Sequence, residues 1–115
     1  MHRRPAGKLT AAGKAICFRP PSEKERGDFS IEDYEPNPVD VWPENHAAVL
    51  LFRRLQTQWN YVGGGMGPSL EVGLHYPSLF ALMDRMGLSS REYDDLFADI
   101  QVLEVAGLEA KREYL

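Results

Sequence analysis

The run Gly63-Gly64-Gly65-Met66-Gly67-Pro68, just past the middle of the chain, is the strongest single constraint on what this sequence can fold into. Four glycines and a proline in six residues exclude a regular helix, because glycine loses the most backbone freedom on ordering and proline lacks an amide donor. Ordered structure must therefore form on either side of a loop. The run invites comparison with phosphate-binding loops, but no lysine follows it, and the segment before it reads as helix and not as strand. What remains is a connector in which the backbone turns sharply.

On the N-terminal side of the loop, Ala48, Leu51 or Phe52, Leu55 and Trp59 recur at three- and four-residue intervals. This spacing predicts a helix over about 43–59, with Pro43 and Glu44 suited to its first turn. On the C-terminal side, Tyr76-Pro77-Ser78 opens a second helix, over about 77–86, with Leu79, Phe80, Met83 and Met86 on one side and Gly87 at its end. A third is predicted over about 90–112. Ser89 and Glu92 have the spacing of a capping box, and Tyr93, Leu96, Phe97, Ile100, Leu103 and Ala106 follow at helical intervals. Each helix is amphipathic, so the three are expected to pack around a shared core. That core is read as Phe52, Leu55, Trp59, Leu79, Phe80, Met83, Leu96, Phe97, Ile100 and Leu103. The expected fold is all-α: a small three-helix domain over 42–115.

Residues 1–41 read differently. They contain five of the eight prolines and only scattered apolar residues. Such a segment buries too little to offset an ordering entropy of roughly 1–2 kcal/mol per residue. It is read as a flexible arm with at most a short helix around Thr10–Ala15. Its charge is divided: residues 1–26 carry seven Lys/Arg against two acids, whereas 27–41 hold five acids and no base. The net charge of −4 averages these blocks with an acidic remainder.

Most functional classes find no support. At 115 residues the chain has the length of one domain. The single cysteine, Cys17, excludes an internal disulfide framework and fits a reducing cytosol or a fold that never needed staples. No apolar run approaches the roughly 18–20 residues that span a bilayer, and the basic start at Arg3-Arg4 leads into no apolar stretch of signal-peptide length. Cys17, His2, His46 and His75 sit on separate elements without metal-ligand spacing. Glu92, Asp95 and Asp99 share a helical face, but early in a helix such acids are a solvated row favoured by the dipole. No serine sits in a nucleophile elbow. The sequence thus points to no enzyme, no metal and no cofactor. The second and third helices resemble a helix-turn-helix in outline, yet Glu92, Asp94, Asp95 and Asp99 on the would-be recognition helix oppose contact with phosphates.

The residues singled out for packing also carry a resemblance. Trp42-Pro43-Glu44-Asn45, Phe52, Gln58-Trp59, the glycine run, Gly73-Leu74-His75-Tyr76, Leu96-Phe97, Asp99 and Glu104 occur in an order that resembles a small phage and prophage family of unknown function. That family is encoded in tail modules, beside the tail assembly chaperone and before the tape measure gene, sometimes as a frameshifted extension of the chaperone. The resemblance covers about 41–112; the family often has Asp where this chain has His75. It implies a helical assembly factor in the cytoplasm of the bacterial host. The implied partners are the tail tape measure protein or the tail assembly chaperone, with the major tail protein as a further candidate. A chaperone of this kind would cover apolar tape measure surface by taking partner helices into a groove. Candidate protein-binding residues are Trp42, Phe52, Gln58, Trp59, Gly63, Gly64, Gly65, Gly67 and Tyr76; the plainer alternative makes Trp59 simply core. The alternatives at the level of function are a minor structural component of the tail or neck and a small DNA-binding regulator.

Overall fold

The computed structural model describes residues 7–19, 45–63, 65, 67 and 69–113. In chain order the elements are α1 (Gly7–Ile16), α2 (His46–Arg54), β1 (Trp59–Gly63), β2 (Ser69–Leu74), α3 (Tyr76–Asp84) and α4 (Ser90–Arg112). Among the described residues, four helices and a two-stranded antiparallel hairpin make the fold mixed α and β. The expected all-α three-helix domain with a flexible arm is corrected in two places.

The first correction is α1. It is only ten residues long, too short to be stable alone in water. It is held by packing: Leu9, Ala12 and the following Cys17 are buried in the same core as α2 and α4. Gly13 lies against α4 so closely that a Cβ there would come 2.8 Å from the Leu103 carbonyl oxygen. Leu9 supplies the one large buried side chain of α1, and the small residues Ala12 and Gly13 let the two helices approach closely, a feature to which apolar spacing gives little weight. Residues 1–6 and 20–41, the rest of the expected arm, lie outside the described residues.

The second correction concerns Trp59. The spacing Ala48–Phe52–Leu55–Trp59 suggests one continuous helix, but α2 ends at Arg54. Its last turn tightens, with the Leu55 amide donating to the carbonyls of both Leu51 and Phe52. Trp59 then begins β1, whose aromatic and β-branched residues suit a strand. Trp59 still reaches the core, edge-on to Phe52 at 6.1 Å between ring centroids. The strands pair Trp59 with Leu74, Asn60 with Gly73, Tyr61 with Glu71, Val62 with Leu70 and Gly63 with Ser69. Val72 is the unpaired residue of a bulge between the second and third of these pairs. Gly63 and Gly65 take positive φ of 92° and 58°, the conformation for which the glycine run is needed.

The two C-terminal helices follow the sequence closely. In α3, Pro77 occupies the first turn, and Gly87 follows the end of the helix with φ of 67°. Ser89 and Glu92 close the reciprocal capping box that starts α4, and Lys111 and Arg112 occupy its last turn. Helix α4 is the spine of the molecule, packing against α1, α2 and β2. Eight of the ten expected core residues are buried. The other two, Phe80 and Phe97, are half-buried and pack with Tyr76 and Tyr93 in a ring cluster at the α3–α4 contact.

Candidate interaction surface

Several motif residues converge at the base of the hairpin. Glu104, buried on α4, accepts the Leu74 amide at 2.7 Å through Oε2 and the Tyr76 hydroxyl at 2.8 Å through Oε1. Gly73 permits this approach, since a Cβ there would stand 3.3 Å from Oε2. Burial, and then the bond to Glu104, push the Tyr76 phenol above its usual 10.0. Alongside, the Gln58 carbonyl accepts the His75 amide at 2.7 Å, and the Ser78 hydroxyl donates to Gln58 Oε1 at 3.1 Å. His75 Nδ1 lies 2.7 Å from the same hydroxyl. With Ser78 donating to Gln58, Nδ1 is the donor in that contact. The carboxylate of Glu104 is therefore spent on joining β2 and α3 to α4, which makes it a structural tie.

A second polar cluster lies beside β2. Arg19 Nη2 pairs with Glu71 Oε1 at 3.2 Å, Lys111 Nζ stands 3.8 Å from the same oxygen, and Arg112 donates to the Glu71 carbonyl at 2.7 Å. Lys111 Nζ also lies 5.1 Å from the centroid of the Trp59 ring. Burial alone would raise the Glu71 carboxyl, but its own backbone hydrogen bond, Lys111 and Arg19 together hold it below the usual 4.5. Cys17 donates to Gln56 Oε1 at 3.4 Å, and burial pushes its thiol up, away from the nucleophilic thiolate. Among the described residues, no group of three or more His, Cys, Asp or Glu side chains is placed to hold a metal ion.

The candidate binding residues fall into three groups. Phe52 and Trp59 are 0% and 6% exposed and belong to the core. Gln58, bonded to His75 and Ser78, and Tyr76, bonded to Glu104, both lie at the hairpin base just described, while Gly63, Gly65 and Gly67 lie exposed at its far end. Trp42 and Gly64 lie outside the described residues.

Among the described residues, the large apolar side chains that face solvent are others: Leu50, Tyr61, Val62, Val72, Met86 and Val105. Tyr61, Val62 and Val72 decorate the hairpin. Leu50 and Met86 face each other across a groove between α2 and the end of α3, which Ala47, Leu51, Leu82, Arg54 and Arg85 also line. Sequence reasoning missed this groove because it assigned each helix one apolar face. The signal was present in Ala47, Leu50 and Arg54, which recur at three- and four-residue spacing beside the core residue Leu51.

None of the described helices is long and apolar enough to cross a membrane. Neither a curated protein nor a solved structure matches the chain. Residues 28–110 match the model of a family described as "Phage related hypothetical protein (DUF1799)".

Proposed function

The chain belongs to this phage-related family, and from that premise we propose that it is a tail assembly factor. In this reading it binds the tape measure protein in the cytoplasm of the bacterial host and keeps it soluble until the tail tube forms around it. The observation that carries the reading is the distribution of polar and apolar groups. The buried carboxylate of Glu104 and the Arg19–Glu71–Lys111 cluster are engaged within the fold, while Leu50, Tyr61, Val62, Val72, Met86 and Val105 face outward. A small domain with that division is equipped to hold another protein.

Co-expression with the tape measure protein tests the proposal. The expected result is a higher soluble yield of the tape measure protein and its co-purification with this chain, which is then missing from finished particles by mass spectrometry. Unchanged yield together with no co-purification overturns it.

A further inference from the structure

The core takes Ala48, Val49, Leu51 and Phe52 of helix α2 and leaves Leu50 outside. Ala48, Phe52 and Leu55 turn inward, whereas Leu50 is 60% exposed. Across from it, Leu82, Arg85 and Met86 recur at three- and four-residue spacing along α3 and the turn that follows it, and Met86 is 41% exposed. The two rows enclose a groove of about 480 Å³. Its floor is Leu50, Leu51, Leu82 and Met86, and Arg54 and Arg85 stand on it as the charged residues. Neither arginine has an ion-pair partner among the described residues. The neighbouring acid, Asp84, is occupied by the Tyr93 hydroxyl at 2.9 Å.

Resting on the reading that this chain acts by holding another protein, we propose that the α2–α3 groove binds an acidic amphipathic helix of a partner. The helix lays an i, i+3, i+4, i+7 apolar ridge on the leucine and methionine floor, as ridges pack into grooves between helices. Its flanking carboxylates meet Arg54 and Arg85, whose planar guanidinium groups suit bidentate pairing. Met86, unbranched and polarizable, adapts to different apolar side chains. The nine residues of α2 give the groove a length of about 13 Å, matching two to three turns of the partner.

The test uses the full chain and two synthetic helical peptides of equal length. Both carry Leu at i, i+3, i+4 and i+7; one has Glu at the flanking positions and the other Lys. Fluorescence anisotropy at low salt is expected to show the Glu peptide binding about tenfold more tightly than the Lys peptide. The double variant Arg54→Glu/Arg85→Glu is expected to invert that preference, and Leu50→Asp to weaken both peptides. These positions are exposed, and circular dichroism checks that the variants fold. Equal binding of the two peptides, or a preference unchanged by the double variant, overturns the proposal. So does a dimer of the wild type that Leu50→Asp dissolves, because the occupant is then a second copy. So does binding that appears only after Asp28→Asn, Glu32→Gln, Asp33→Asn, Glu35→Gln and Asp40→Asn, because the occupant is then this chain's own acidic stretch. If the tape measure protein co-purifies equally with wild type and the arginine double variant, the groove assignment fails while the assembly reading stands. Peptide inversion without tape measure co-purification upholds the groove and overturns the assembly reading.

Discussion

Glu104 joins segments that lie 28 and 30 residues away in sequence, through one carboxylate whose residue is 8% exposed. Replacing it with alanine strands the Leu74 amide and the Tyr76 hydroxyl in a largely dry site. Glu104→Ala is expected to cost about 2–4 kcal/mol, read as a lowered urea midpoint at unchanged slope. Tyr76→Phe removes one hydroxyl and leaves the amide bond intact, so about 1 kcal/mol is expected at neutral pH. The same variant has a pH signature. The Tyr76 phenol is raised in the folded state, so on alkaline titration the unfolded chain loses its proton first. The stability that Tyr76 contributes is therefore complete below pH 10.0 and lost as pH climbs through the raised folded value. The gap in stability between wild type and Tyr76→Phe should narrow over that range, and a gap that stays constant to alkaline pH contradicts the assignment. Periodicity gave no hint of this role, because Glu104 sits beside the α4 core stripe and looks like any polar neighbour of Leu103. Only its place in the ordered motif, with Gly73-Leu74-His75-Tyr76, pointed to it.

At the scale of elements, α3 and α4 were legible because their signals are local: a proline in the first turn, a capping box, a glycine after the end. The hairpin was not, because Trp59 satisfies two patterns at once. It continues the helical spacing of α2 and also opens a β-prone run, and the choice between them depends on pairing with β2, which no local window contains. For α1 the sequence allowed a short helix around Thr10–Ala15 but not its docking on the core, since that packing depends on having almost no side chain at Gly13. Helix propensity alone would make Gly13→Ala stabilising by about 1 kcal/mol. The new Cβ, however, meets Leu103 O at 2.8 Å and Ala106 Cβ at 3.0 Å, so α1 must shift away from α4. The net expectation is a loss of about 1–3 kcal/mol, with a fall in thermal midpoint. A rise on substitution shows that the α1–α4 contact is looser than the geometry states. The start of α3 offers the opposite case. His75 occupies the N-cap with extended backbone and makes no side-chain cap bond. Pro77 has no amide to cap and the Ser78 amide already donates to the His75 carbonyl at 3.1 Å, so His75→Asp gains only from its charge at the helix start and is expected to stabilise by about 0.3–0.5 kcal/mol, read by urea titration.

At the scale of the whole molecule, Glu71 holds the chain's distant parts together. Arg19, just beyond α1, pairs with its carboxylate; Lys111 approaches the same oxygen from the end of α4; and β2 supplies the residue itself. The pair with Arg19 connects residues 52 apart in sequence, and Arg19 also donates to the Lys111 carbonyl at 3.3 Å. Glu71→Gln removes the charge while keeping the volume and leaving the backbone bond to Arg112 in place. About 1–3 kcal/mol of stability should be lost at neutral pH, since two cations then face a neutral amide in a partly buried site. The carboxyl is held below 4.5 in the folded state, so its contribution is present above that value and is lost as pH falls through the depressed one. Wild type and Glu71→Gln should therefore converge in stability under acid and diverge at neutral pH. Hydrogen exchange separates a local role from a global one. A tie confined to β2 would speed exchange in the hairpin alone. A tie that fastens α1 to the rest predicts faster exchange at the Leu9–Cys17 amides as well, because releasing Arg19 leaves this ten-residue helix seated only by Leu9, Ala12, Gly13 and Cys17.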